Sequence, residues 1–142
     1  MKRHPSLIPY SQDHHKILLL AQVLKIDSPD YKNMPRDLGG KVEMAQRYFK
    51  DIIAPHEDRE EKNLFPKIRN IDPEIDKLLD TLISEHEEMN ELFQNLNKPT
   101  ISIDDLNKLG IALEDHVRKE ERIVFQLIQE KIPDQLLTQI IH

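Results

Sequence analysis

The sequence contains no cysteine and no tryptophan, and only three of its 142 residues are glycine. Without cysteine, the chain cannot form a disulfide, a thiolate zinc site or an iron–sulfur cluster, and it has no thiol nucleophile. Any metal that the protein binds must therefore be held by nitrogen and oxygen atoms.

Basic clusters and long apolar runs are missing as well. The formal net charge is −6, and we find no clustered basic face of the kind that binds a phosphate backbone. The first ten residues lack the apolar run of a signal peptide, and no later window approaches the length of a membrane span. We therefore expect a cytoplasmic protein with no nucleic-acid partner and no membrane partner.

Charged residues make up 32% of the chain and aromatic residues 5%, and apolar residues recur at helical spacing. This pattern is typical of an all-α protein. Turn and capping signals then divide the chain into four long helices and a short last one. The predicted helices run from about Gln12 (capped by Ser11) to Ile26, from near Asp37 to Ile68, from Pro73 to before Asn97, from the Ser102–Asp105 capping box to before Pro133, and from Asp134 to His142.

Short connections between long amphipathic helices favour an antiparallel up-down-up-down four-helix bundle. We expect residues 1–142 to form this bundle as a single domain, with the short C-terminal helix covering the bundle or a partner chain. Pro55 lies inside the second helix and lacks the N–H that would bond the carbonyl of Asp51. We expect a kink just before His56 rather than a break in the chain, and a second loosening near Pro66.

One motif occurs twice, sixty residues apart. It reads HEDREEKNLFP from His56 and HVRKEERIVFQ from His116. In both copies the His is followed at i+4 and i+5 by two glutamates, and at i+8 and i+9 by an apolar residue and Phe. Positions four apart lie on the same face of a helix, so each copy places an imidazole beside a carboxylate, Glu60 or Glu120. Each pair is half of a metal site.

The first and third helices carry one His each on their apolar stripes, His14 and His86. A single His in such a stripe is more often a core residue than a ligand, but four of them on four helices, with two glutamates, indicate a shared site. Burying Glu60 and Glu120 as anions would cost several kcal/mol each, and no Lys or Arg lies on the same stripes. A cation would offset that cost, and carboxylates shared between helices indicate two metals.

Imidazole with carboxylate suits iron, manganese or zinc, whereas calcium and magnesium prefer all-oxygen cages. The zinc-protease pattern HExxH fails here, because Glu60 and Asn90 stand where its second His must be. The Glu-x-x-His pattern of ferritin-like proteins is missing too.

Several neighbouring residues are assigned other roles. Glu61 and Glu121, the second glutamate of each copy, are expected to be solvated and to pair only with neighbouring Lys or Arg. His14 is aimed at the core more directly than His15, which remains the second choice. The terminal histidines, His4 and His142, are expected to be exposed to solvent.

Together these motifs resemble the hemerythrin-like HHE cation-binding domains, over essentially the whole chain. The similarity lies in DHHKIL of the first helix, the H-x-x-x-E-E-x-x-LFP block at His56, the single His of SEHEEM and the H-x-x-x-E-E block at His116. Members of that family hold a carboxylate-bridged non-haem di-iron centre in a left-handed four-helix bundle. The resemblance implies six metal ligands, with the two glutamates as bridges: His14, His56, Glu60, His86, His116 and Glu120.

The resemblance also implies a function, since family members bind dioxygen, sense oxygen or iron, or act in repair under nitrosative stress. Oxygen-carrying members have a second His four residues after the ligand of the third helix, where this chain has Asn90. The missing imidazole favours reaction with oxygen, peroxide or nitric oxide over reversible carriage. Glu57 is a candidate for an additional oxygen ligand, as in an iron-sensing relative.

Three hypotheses therefore stay open. The first is a di-iron protein that handles oxygen, iron or reactive nitrogen species, with dioxygen or nitric oxide as its ligand. The second is a redox enzyme that uses the same centre to act on peroxide or nitric oxide. The third is a metal-free helical interaction module. A homo-oligomer formed through the C-terminal helix is compatible with each.

Overall fold

A computed structural model describes residues 2–140 of the chain. Within these residues the protein contains helices and turns but no β-strand, which confirms the all-α prediction. None of the helices in this range has the length and the apolar character that a transmembrane span requires.

The first long helix is α1, Ile8–Leu24. It begins four residues earlier than predicted because Pro9 lies in its first turn, where a missing N–H costs nothing and the fixed φ angle suits a helix. Leu7 is the N-cap residue, so the assignment of Ser11 to that position was wrong. Asp13 consequently lies in the second turn of the helix.

The second long helix follows the N-cap residue Asp37 and covers residues 38–68. It runs through Pro55 without a break, as predicted, but the deformation takes the form of two π-helical turns. Its segments are α2 (Leu38–Tyr48), a π turn (Phe49–Ile53), α3 (Ala54–Arg59), a second π turn (Glu60–Leu64) and α4 (Phe65–Ile68).

The third and fourth long helices begin where the sequence predicts. Asp72 accepts hydrogen bonds from two backbone N–H groups at the start of α5, and Ser102 with Asp105 forms the predicted capping box. The third helix is α5 (Pro73–Gln94) with a 3-10 turn (Asn95–Asn97). The fourth consists of α6 (Ile103–Lys119), a π turn (Glu120–Val124) and α7 (Phe125–Lys131).

The four long helices pack as an antiparallel bundle, in which the first contacts the second and the fourth, and the third packs on the fourth. Gly110 allows the first and fourth helices to approach each other closely. A Cβ atom at this position would lie 2.8 Å from the carbonyl oxygen of Ala21.

The C-terminal segment closes one end of the bundle. It contains α8, Asp134–Leu137, which is shorter than predicted. Leu137 and Ile140 are buried in the bundle's own core, so they cover this end of the bundle. Ile141 and His142, assigned to the same helix and to an exposed end, lie outside the described residues.

Two apolar clusters fill the bundle, one on each side of a polar layer. The first cluster includes Ile17, Ile53, Met89 and Leu113, and the second includes Leu64, Phe65, Leu82 and Val124. Each long helix therefore passes from one cluster to the other. Its polar residues at the crossing point form the candidate site.

Candidate metal centre

All six residues expected to bind metal are buried in the layer between the two clusters. One ligand atom from each of His14, His56, Glu60 and Glu120 lies within 4.8 Å of the others, and the same is true of Glu60, His86 and His116. We call the place beside His14 and His56 the first metal position, and the place beside His86 and His116 the second metal position.

Glu60 joins the two positions. Its Oε1 atom lies 3.2 Å from Nε2 of His56 and 3.3 Å from Nε2 of His86. His56 is one turn before Glu60 on the same helix, whereas His86 comes from the third helix. One carboxylate therefore reaches an imidazole at each position.

Glu120 has the equivalent place on the opposite side. Its Oε1 atom lies 3.7 Å from Nε2 of His14, and its Oε2 atom lies 3.4 Å from Nε2 of His116. The two copies of the sequence motif thus each contribute one His and one glutamate that lies between the positions.

The repeat of sequence is also a repeat of backbone structure. Glu60 and Glu120 each begin a π turn, in which the N–H of the Phe five residues later bonds the carbonyl of the glutamate. The second of these turns contains no proline, and none directly follows it. Such a turn therefore forms here without a neighbouring proline. The turns let an apolar residue and the following Phe both face inward. Phe65 then stacks on His86 and Phe125 on His14, with ring centroids 6.4 and 5.7 Å apart.

Many inward-facing polar atoms of the layer have no hydrogen-bond partner. They are Nε2 of His14, His56 and His86, and all four carboxylate oxygens of Glu60 and Glu120. A buried polar group without a partner costs free energy, so native interiors rarely contain such a cluster. Metal ions at the two positions would give these atoms partners, and the residues present therefore fit a bound metal pair.

The opposite nitrogen of every imidazole is held by a second carboxylate. A metal-binding His commonly donates its other N–H in this way, which fixes the ring and strengthens it as a ligand. The distances from Nδ1 to the carboxylate oxygen are 2.6 Å for His14–Glu121, 3.0 Å for His56–Asp13, 2.9 Å for His86–Glu61 and 2.8 Å for His116–Glu85.

These contacts overturn the expectation that Glu61 and Glu121 pair only with neighbouring Lys or Arg. Sequence reasoning also missed Asp13 and Glu85. A signal was present, because an acid directly precedes the His of the first and third helices and directly follows the inner glutamate of the second and fourth. Each of these acids reaches across to a His on a neighbouring helix.

In the metal-free protein, Glu60 and its two neighbouring histidines shift one another's pKa values. Burial alone would lower the pKa values of His56 and His86, but Glu60 and the outer carboxylates raise both to about 9. Burial would raise the pKa of Glu60, but the two histidines hold it well below its usual range. Burial lowers the pKa of His116.

The other residues that the sequence analysis singled out differ in how far they are buried. His15 is exposed, which confirms that His14 is the inward-facing member of the pair. Glu57 is buried, burial raises its pKa to about 7, and the Asn90 side chain contacts it. His4 is not exposed as expected, because Ser6 Oγ and Asp134 Oδ1 each lie 2.7 Å from its ring nitrogens.

A small cavity lies within the polar layer, where His14 and His56 line it. Its apolar lining includes Met89, Leu113 and Val117, and Glu57 and His116 belong to its polar lining. The centre of a water-sized molecule can range over only about 10 Å³ of it. The cavity therefore has room for about one water molecule.

Comparison with known families gives one match. The family model described as the hemerythrin HHE cation-binding domain matches residues 10–128, which include all six inner residues of the site. No curated protein and no solved structure matches the chain.

Proposed function

Because the chain belongs to the hemerythrin HHE cation-binding family, we propose that residues 1–142 form one domain that holds a pair of non-haem iron ions and binds dioxygen or nitric oxide there. The observation that carries this proposal is the set of three imidazole nitrogens and four carboxylate oxygens that are buried without hydrogen bonds. Imidazole nitrogen and carboxylate oxygen are suitable ligands for iron, and also for manganese or zinc.

In this proposal, four histidines and two glutamates hold the metals. His14 and His56 would hold a metal ion at the first position and His86 and His116 would hold one at the second, while Glu60 and Glu120 would contribute a carboxylate to both. An iron pair supplies the binding and reduction chemistry of dioxygen or nitric oxide, which protein side chains alone do not provide. The protein's part is to orient the imidazoles and to exclude water.

The cavity supports a small ligand. Its free space holds about one water-sized molecule, and its lining includes the apolar side chains of Met89, Leu113 and Val117. Handling of oxygen or reactive nitrogen species is therefore the role that the site supports best.

A redox enzyme acting on peroxide or nitric oxide is the second candidate, and the surroundings of Glu57 favour it. Glu57 lines the cavity, and its Oε1 atom and Oδ1 of Asn90 are buried without hydrogen bonds. Such groups are able to hydrogen-bond a ligand that is being reduced. By contrast, the seven unpartnered inner atoms argue against a metal-free interaction module, because they would weaken its core.

Anaerobic loading with iron(II) tests the proposal. We expect about two irons per chain, and an optical band that changes when dioxygen or nitric oxide is added. His56→Ala should lose at least one iron, whereas His15→Ala, which changes an exposed residue, should keep both. Turnover with an added reductant would support the enzyme, and a folded protein that takes up no iron would refute both metal-based functions.

The expected cytoplasmic location and homo-oligomer stay predictions. Leu137 and Ile140 of the C-terminal segment are buried within one chain. Light scattering of the purified protein measures the oligomeric state.

A further inference from the structure

We infer that the two metal positions are unequal, and that the second position, between His86 and His116, takes up metal first. The inference rests on the proposed function, since it assumes that metal binds here. It follows from the cations that contact the four outer carboxylates, which differ between the two positions.

At the first position, both outer carboxylates are neutralised by a guanidinium. Arg3 donates to Glu121 at 2.7 Å, and Arg59 donates to Asp13 at 2.5 Å. Arg3 also lies over the ring of Phe125 and is only 19% exposed, so water screens its charge weakly. The outer groups of the first position therefore carry a formal net charge of zero.

At the second position, only one outer carboxylate has a cation. Lys119 donates to Glu85, the partner of His116. Glu61, the partner of His86, has no Lys or Arg partner anywhere in residues 2–140, and the adjacent Lys62 pairs with Asp58 instead. The outer groups of the second position carry a formal net charge of −1.

This difference acts on a bound cation in two ways. A carboxylate without a counter-ion withdraws the Nδ1 proton of its imidazole more strongly, which makes Nε2 a better donor to metal. The extra negative charge also attracts the metal directly. One additional negative charge roughly 7 Å from a divalent metal ion raises the affinity for that ion about tenfold at the dielectric constant of water. At the lower dielectric constant inside a protein the effect is much larger. Because Glu61 is 39% exposed, we expect the lower end, about tenfold.

Glu61 is thus a positioning residue that sets the order of loading. Its exposure makes Glu61→Gln a mild change to the fold, and the amide can still accept a hydrogen bond from His86. The matched variant at the first position is Glu121→Gln. Arg3→Gln is more informative still, because removing a cation should strengthen binding at the first position, whereas mere loosening of the structure would weaken it.

Anaerobic titration of the metal-free protein with cobalt(II) as the probe tests this order. In the wild type we expect two steps, the first about tenfold tighter. Glu61→Gln should weaken the first step about tenfold and bring the two steps together, Glu121→Gln should weaken only the second step, and Arg3→Gln should tighten the second step.

The position itself is read from crystals grown with one equivalent of cobalt(II). Anomalous scattering should be strongest beside His86 and His116. Equal occupancy of the two positions, earlier filling of the first, or equal weakening of both steps by Glu61→Gln would overturn the inference and leave the proposed function standing. A protein that binds no cobalt(II) at either position would refute both.

Discussion

Metal should stabilise the folded protein strongly, because the inner ligands converge only when four helices are packed together. The unfolded chain has no such site, so metal acts as a ligand of the folded state alone. At a free metal concentration about a thousand times the dissociation constant, one bound ion adds about 4 kcal/mol to the free energy of unfolding. With an unfolding entropy of about 2.1 cal/mol/K per residue, this corresponds to a rise in melting temperature of roughly 10–15 °C.

Anaerobic thermal melts followed by circular dichroism, with and without iron(II), measure this shift. The double variant Glu60→Gln/Glu120→Gln keeps the shape of both side chains but removes the charges that face the metals, so its melting temperature should not respond to iron. His15→Ala is the matched control and should respond as the wild type does. Superimposable wild-type melts at neutral pH, with iron in excess, would refute the reasoning.

The size of the shift should depend on pH. Without metal, the pKa values of His56 and His86 are about 9, above the ordinary value of 6.5. Their protonation therefore stabilises the metal-free fold fully below about pH 6.5, and this contribution is lost as the pH rises through 9. Since metal must displace the same protons, the iron-dependent shift should grow from pH 6.5 to 8.5. A shift that shrinks over this range would contradict the assignment.

Three other predictions concern single residues. His14→Ala should lower metal content far more than His15→Ala, and the opposite result in metal analysis would show that the first helix is misassigned. Gly110→Ala should destabilise the fold by about 1–3 kcal/mol in urea unfolding, because its Cβ atom would meet the carbonyl oxygen of Ala21, and an unchanged midpoint would show that the helices can separate freely. The pKa of Glu114 is lowered to about 2, chiefly by a hydrogen bond from Lys25, which directly follows the first helix, so its contribution to stability should be present above about pH 4.5 and lost towards pH 2. Glu114→Gln should therefore be less stable than the wild type at pH 6 and approach it at low pH, and a constant difference would contradict this.

Local signals in the sequence predicted much of the fold. Asp72 and Ser102 cap their helices as expected because a cap depends on residues only two or three positions away. The predicted start of the first helix was wrong because it rested on Ser11 as the cap, although Pro9 is a residue type favoured in the first turn of a helix. The π turn that begins at Glu120 contains no residue type, such as proline, from which it could have been predicted.

The inner and outer parts of the site differ in how far the sequence could predict them. The spacing of His56 and Glu60 on one helix determines that they share a face, and no knowledge of other helices is needed. The partnership of Glu61 with His86 depends instead on how the second helix packs on the third. An acid next to a ligand is also common on solvated helix surfaces, so the sequence alone does not assign it a partner.

The most direct test of the central claim is the position and number of iron ions in crystals of the iron-loaded protein, measured by anomalous scattering at the iron absorption edge. We expect two iron peaks per chain, one near His14 and His56 and one near His86 and His116, with Glu60 and Glu120 in contact with both. A folded protein without iron in this layer, or with iron bound only elsewhere, would contradict the account.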